Sequence, residues 1–122
     1  MIVQSAIRVH SILGPGLLES AYRACLRHDL TRKGLSVESE LPVPIIFDGL
    51  VLDVGYRMDL LVENIVIVEV KAIRRLTEVH EAQLLSHLKL SSRVAGLLIN
   101  FHVYRLKQGI KRMLNGTVPP GT

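Results

Sequence analysis

The hydrophobic residues in the first third of the chain recur every three or four positions, as they do along one face of a helix. This spacing predicts a helix over residues 2–13 and a second over residues 17–32, separated by Gly14-Pro15-Gly16. In the second helix, the side chains expected to face the core are Leu18, Tyr22, Cys25 and Leu26. Those expected to face outward are Arg23, Arg27 and His28.

The middle of the chain shows strand patterns instead. Strands are predicted over residues 36–46, 51–62 and 65–71. Asp48-Gly49 is a strong turn signal between the first two. Pro42 and Pro44 indicate an edge strand or a bulge. Residues 65–68 are apolar without alternation, which is typical of a central strand covered on both faces.

Helix and strand patterns alternate in the last third. They predict a helix over 77–90, a buried strand over 94–100, a short strand over 104–106 and a closing helix over 107–114. Helices packed on both faces of a mixed sheet of four or five strands would be the economical arrangement. We therefore predict one α/β domain over residues 1–115 and a flexible tail over 116–122, which is rich in Gly and Pro.

Composition excludes several classes of protein. Hydrophobic residues make up 48% of the 122 positions, which favours a packed core over disorder. No apolar run approaches the roughly 18–20 residues that cross a bilayer, and the N-terminus lacks a signal-peptide pattern. The single cysteine, Cys25, cannot form an internal disulfide and is predicted to be a small buried hydrophobe. A cytoplasmic protein without a membrane partner is the expectation.

The net charge of +4 is unevenly distributed. From Val70 onward only Glu78 and Glu81 are acidic, against nine basic residues: Lys71, Arg74, Arg75, Lys89, Arg93, Arg105, Lys107, Lys111 and Arg112. Such a basic half suits a polyanionic partner such as nucleic acid. A solvated surface that keeps the protein soluble is an equally good explanation from charge alone.

The candidate chemistry lies in Asp59 and the triplet Glu69-Val70-Lys71. Side chains two positions apart on a strand share a face, so Glu69 and Lys71 should project together. Asp59 shares that face if the connection between the two strands has odd length, for example three residues centred on Asn64. A two-residue turn would separate the carboxylates. Two acids beside one ammonium leave a surplus negative charge, which Mg²⁺ or Mn²⁺ would neutralise.

Asp59 and Glu69-Val70-Lys71 resemble the signature of the PD-(D/E)XK nuclease superfamily, although Met58 stands where its proline would be. The chain is most similar to the GxxExxY proteins, a branch found chiefly in bacteria. Their motif reads here from Gly16 through Glu19 to Tyr22. Further similarity lies in residues 80–89 and 96–101, so that the resemblance spans roughly residues 7–112. Relatives start several residues earlier, so the N-terminus is expected to be truncated.

This resemblance implies a restriction-endonuclease-like three-layer domain and a metal-dependent phosphodiesterase that acts on nucleic acid, DNA before RNA. Asp59 and Glu69 would be metal ligands, Lys71 the electrostatic catalyst, and Glu19 a further carboxylate that acts directly or through water. Gln83 would line the site. Phosphate contacts are expected from Arg74, Arg75 and Lys89. The small chain suggests that specificity comes from a partner or from a homodimer, with the strand near Pro42 as a pairing edge.

Each of these residues also has a structural explanation. Glu19 could stabilise the helix dipole and pair with Arg23, and Asp59 could form a salt bridge with Lys71 or Arg57. His80 and His87 share a helix face with Gln83, but two histidines without a third ligand indicate zinc only weakly. The rival functions are an inactive nuclease fold that binds nucleic acid or a protein, and a scaffold in which the charges form structural ion pairs.

Overall fold

The computed structural model describes residues 1–116, and the predicted tail lies outside them except for Gly116. The elements in chain order are α1 (Ile2–Leu13), α2 (Glu19–Arg32), β1 (Val37–Pro42), β2 (Ile45–Phe47), β3 (Leu50–Leu52), β4 (Arg57–Val62), β5 (Val66–Lys71), α3 (Glu78–Leu90), β6 (Ala95–Asn100), a 3₁₀ helix (Leu106–Gly109) and β7 (Ile110–Leu114). Across the described residues we find no helix that combines the length and the apolar character of a membrane span.

Five strands form a mixed sheet in the order β1-β4-β5-β6-β7. β5 and β6 are parallel, and the other neighbouring pairs are antiparallel. Tyr22 and Leu26 of α2 share a core with Val68 and Val70, which point to one face of β5. Leu84 of α3 packs with Ile67 on the opposite face. The predicted three-layer α/β architecture, with β5 as a buried central strand, is therefore confirmed.

The beginning of α2 is fixed by Tyr22. Its ring is fully buried and stacks on Phe101, with the two ring centroids 4.5 Å apart. Its hydroxyl donates to the Gly14 carbonyl and accepts a hydrogen bond from the Leu17 amide at 3.1 Å. These contacts hold the connection between α1 and α2, so that Glu19 begins α2 at a fixed place.

Two predicted long strands are each divided. The pattern over 36–46 becomes β1, at the edge that Pro42 indicated, and β2; the pattern over 51–62 becomes β3 and β4. β2 and β3 form a separate hairpin around Asp48-Gly49, whose φ angles of 50° and 80° suit the two-residue turn. Val43 is buried and turns the chain away from the sheet after Pro42.

The predicted strand over 104–106 and the predicted helix over 107–114 are wrong. The chain forms the 3₁₀ helix and then β7, which pairs with β6 from Ala95↔Leu114 to Ile99↔Ile110. A buried strand such as β6 has an edge of backbone donors and acceptors, and β7 satisfies them. Local spacing could not reveal this non-local demand.

Two residues expected in the core are exposed. Leu18 precedes α2 and is 77% exposed, and Cys25 is exposed as a free thiol. The core-facing stripe of α2 is Tyr22, Leu26 and Leu30, spaced four residues apart. Cys25 lies beside that stripe, on the side of α2 that faces α1, where it lines a pocket with Val9 and Leu13.

Candidate metal and phosphodiester site

The connection between β4 and β5 sets which side chains face each other. Val62 pairs with Val66, and Leu60 with Val68, so the turn has three residues and its centre is Asn64. Glu63 and Asn64 adopt φ angles of 55° and 57°. The same register, continued by one pair, places Asp59 opposite Glu69. This is the odd-length connection that a shared face requires.

At Asp59 and Glu69, hydrogen bonds from backbone amides to the two carboxylates take the place of backbone–backbone hydrogen bonds between β4 and β5. Asp59 Oδ2 accepts a hydrogen bond from the Val70 amide at 2.7 Å. Glu69 Oε2 accepts from the Asp59 amide at 3.4 Å. The paired residues of β4 and β5 end at Leu60↔Val68, so the strands separate where the carboxylates begin. Each acid therefore binds the backbone of the opposite strand.

The pair is largely removed from solvent. The side chains of Glu69 and Asp59 are 8% and 19% exposed. Burial, and then the negative charge of Glu69, raise the pKa of Asp59 to about 6. The Val70 amide and the charges of Arg23 and Lys71 act in the opposite direction and compensate only in part. The two carboxylates thus share a poorly solvated site, which favours the protonated form of Asp59 unless a cation lies beside it.

Arg23 reaches this pair from α2. Its Nη1 atom lies 3.6 Å from Asp59 Oδ1, and its Nη2 atom lies 3.3 Å from Glu40 Oε1. Arg23 was expected to face outward, and Glu40 was not singled out. Glu40 falls opposite Asp59 in the register between β1 and β4, at a break where its φ is 54°. Arg23 lies one helical turn after Glu19, and that spacing could have indicated that Arg23 lies on the same side of α2 as Glu19.

His87 of α3 binds the other acid. Its Nδ1 atom lies 2.7 Å from Glu69 Oε1, and its side chain is 14% exposed. Gln83, one turn earlier, is exposed and makes no hydrogen bond to either carboxylate within residues 1–116. His80 belongs to the cap of α3, where its Nδ1 atom accepts from the Thr77 amide at 2.9 Å. The two histidines therefore have separate roles and do not form a zinc site together.

Glu19 and Lys71 lie at the end of β5. Glu19 Oε2 accepts a hydrogen bond from the Ala72 amide at 3.2 Å, directly after Lys71. Lys71 is half-buried and, by strand alternation, shares the face of Glu69. Glu19 does lie in the first turn of α2, where it can stabilise the helix dipole. The ion pairs considered for Glu19 and Asp59 are not formed, because Arg23 pairs with Glu40 and Asp59, and Arg57 pairs with Asp53 at 3.3 Å.

The three residues expected to contact phosphate are exposed. Arg74 and Arg75 follow β5 in a loop that Asn100 holds, since its amide bonds both the N–H and the C=O of Ile73. Lys89 lies near the end of α3. None of the three forms an ion pair with a described residue.

The donor set fits a hard divalent cation. Mg²⁺ typically takes one or two carboxylates and keeps several waters. Such an ion would offset the burial and the repulsion from Glu69 that raise the pKa of Asp59. Nowhere in residues 1–116 do three or more His, Cys, Asp or Glu side chains converge so that they could hold a metal. Asp59 and Glu69 are thus brought together, whereas Glu19 does not join them as a third converging ligand.

The layers, the sheet order and this acid pair define a nuclease-like α/β protein. The family model described as the PD-(D/E)XK nuclease superfamily matches residues 1–113, and the chain belongs to this superfamily. Its architecture is the restriction-endonuclease-like fold, and members of the superfamily generally use divalent metal ions. Searches of curated proteins and of solved structures found no match to the chain.

Proposed function

We propose that this protein is a metal-dependent phosphodiesterase that cleaves nucleic acid, with DNA preferred over RNA. The observation that supports this most directly is the facing pair of Asp59 and Glu69 at the point where β4 and β5 separate. The chain belongs to the nuclease superfamily, its two acids lie together, and Lys71 lies on the same face of β5 as Glu69. The inactive-module alternative does not account for this retained set.

Asp59 and Glu69 would hold a divalent ion, which when bound supplies Lewis-acid activation of a phosphodiester oxygen and of a water. Lys71 would stabilise negative charge that develops on the phosphate or orient the attacking water. Glu19 would support the end of β5 through the Ala72 amide and act on the site through water. Gln83 would need to turn toward the carboxylates to line the site, whereas His87 already contacts Glu69.

We also assign the chain to the GxxExxY branch of the superfamily. Tyr22 and Glu19 give this assignment a physical basis, because Tyr22 ties down the connection before α2 and Glu19 then reaches β5. On this proposal the motif builds the side of the site that α2 forms, and its tyrosine has a structural role.

The test is cleavage of plasmid DNA, single-stranded DNA and RNA with Mg²⁺ or Mn²⁺. The Lys71→Ala variant is expected to lose about 10²–10³-fold in rate, the typical effect of removing one charge-stabilising donor. Lys107→Ala is the matched control, because it removes an exposed lysine from the 3₁₀ helix. Tight nucleic-acid binding without cleavage under any divalent ion would favour the inactive module.

Metal binding can be measured separately from cleavage. An ion that binds the folded state raises the melting temperature as its concentration rises. The Asp59→Asn and Glu69→Gln variants should lose that rise. A melting temperature that does not respond to Mg²⁺ or Mn²⁺ in the native protein would favour the structural scaffold.

A further inference from the structure

A groove of about 700 Å³ runs between α2 and β1. It starts beside the acid pair, since Arg23 lines it and also contacts Asp59. From there it follows one side of α2 for three turns. α2 lines the groove with Ser20, Arg23, Arg27, His28 and Thr31, and Ser36 and Ser39 line it from the opposite side.

One of the two arginines of this groove lacks an acidic partner within residues 1–116. Arg27 donates to the Ser39 hydroxyl at 3.1 Å, and it pairs with no carboxylate of the described residues. Glu40 is the sole acid among the lining residues, and it lies at the site end against Arg23. Arg23 and Arg27 are four residues apart on a helix, a spacing at which like charges repel. An anion between them would remove that cost.

The rest of the lining indicates which anion. Four hydroxyl side chains accompany the arginines, and the described lining residues include the imidazole of His28 but no Phe, Tyr or Trp. Hydroxyls and arginines are the usual partners of phosphate and sugar oxygens. Stacking platforms for bases need aromatic rings. The groove therefore has the chemistry of a backbone contact that ignores base sequence.

We propose that the α2–β1 groove binds a phosphodiester strand and leads it to Asp59 and Glu69. This inference rests on the proposed function and names the path of its substrate. Arg27 holds a phosphate within the groove, and Arg23 holds the next one where the groove meets the acids. The path differs from the one expected through Arg74 and Arg75, which lie between β5 and α3, and through Lys89 in the last turn of α3.

Binding of a fluorescently labelled single-stranded DNA, measured in a metal chelator, tests the groove without cleavage. Arg27→Gln is expected to weaken binding about tenfold at low salt and to lower the slope of log K against log salt by about 0.7, the value for one phosphate contact on a single strand. Arg32→Gln is the matched control. It removes the same charge from the same helix but lies outside the groove, beside Arg8 and Lys33.

A crosslink gives a second measurement that does not depend on affinity. In a Cys25→Ser background, which removes the exposed native thiol, a photoreactive group on Ser36→Cys should capture the bound strand. The same group on Ser92→Cys, which is exposed beyond α3, should not capture it.

The outcomes separate this inference from the proposed function. The groove proposal would be overturned if Arg27→Gln and Arg32→Gln lost equal affinity for the DNA. It would also be overturned if the strand were crosslinked from position 92 and not from position 36. A loss of affinity confined to Arg74→Gln and Arg75→Gln would also overturn it and place the strand at the loop between β5 and α3. If the native protein cleaves nucleic acid but Arg27→Gln binds the strand as well as the native protein does, the groove proposal is refuted and the proposed nuclease activity is not. Groove-dependent binding without cleavage under any metal would refute the proposed activity alone.

Discussion

Asp59 and Glu69 each use one carboxylate oxygen on the backbone of the opposite strand and direct the other oxygen toward a helix. Asp59 Oδ1 faces Arg23 of α2, and Glu69 Oε1 faces His87 of α3. The acid pair therefore links the two helical layers through the sheet. Its negative charge is balanced by groups that belong to separate elements, and a change in either helix should reach the site.

The first prediction concerns the charge of Asp59. In Asp59→Asn the amide oxygen can still accept from the Val70 amide, while a buried charge and its repulsion with Glu69 disappear. We expect cleavage to be lost and metal-free stability to rise by about 1 kcal/mol. Thermal melting in a chelator measures the second effect.

Asp53→Asn is the control, because Asp53 is an exposed acid paired with the exposed Arg57 and its removal should change stability little. If Asp59→Asn instead melts well below the native protein, Asp59 is a structural partner of Arg23 and the two acids do not form a strained pair.

The second prediction is that His87 positions Glu69. Substitution of residues that orient a metal ligand typically costs about 10–100-fold in metal affinity or activity. His87→Leu should therefore raise the Mg²⁺ concentration needed for the shift in melting temperature. His87→Asn should recover part of the loss, because its amide can donate where Nδ1 does.

Gln83→Leu is the matched comparison on the same helix. If Gln83→Leu raises the Mg²⁺ concentration needed for the shift and His87→Leu does not, Gln83 is the residue that lines the site, as the family resemblance implies. His87 would then be only a packing residue.

The acid pair could be predicted from the sequence, because strand alternation and an odd connection are local properties of residues 59–71. The three α-helices also followed from local spacing, and Pro42 indicated the edge position of β1. Glu40 and His87 could not be placed, since they reach the acids from elements that are distant along the chain. For Arg23 the only signal was its spacing of one helical turn from Glu19. β7 was missed for the same reason: the free edge of β6 decides its conformation.

The third prediction concerns a buried ion cluster between α1 and α2. Asp29 is 5% exposed and lies 2.6 Å from Arg8 and 3.6 Å from Lys33. The Ser5 hydroxyl and these two positive charges hold the pKa of Asp29 below its ordinary value. A carboxylate with a lowered folded pKa stabilises the fold above its unfolded pKa of about 3.9, and this contribution is lost as the pH falls through the folded value.

Asp29→Asn should therefore destabilise the protein by about 1–3 kcal/mol at pH 7, and the difference from the native protein should shrink towards pH 3. Urea unfolding at both pH values measures it. An equal difference at pH 3 and pH 7 would show that packing, and not the charge of Asp29, holds the helices together.

The fourth prediction concerns the β2–β3 hairpin, which lies outside the main sheet. Its apolar side chains are open to solvent, with Phe47 71% and Val51 63% exposed. An isolated two-stranded hairpin is marginally stable in water. Residues 43–56 contain Asp48 and Asp53 and no Lys or Arg, which disfavours contact of the hairpin with nucleic acid. Its apolar residues are followed by Val54 and Tyr56, which are 55% and 50% exposed. Exposed apolar residues grouped in this way mark interaction surfaces.

We therefore expect two copies of the chain to pair through their hairpins. This places the predicted homodimer contact next to Pro42 and not on β1 itself. Phe47→Ser with Val51→Ser should give a monomer by light scattering at concentrations where the native protein is a dimer. Tyr104→Ser removes a side chain that is 88% exposed elsewhere and should leave the dimer intact. A native protein that is monomeric at every accessible concentration, or a dimer that survives the hairpin double variant, would contradict this interface.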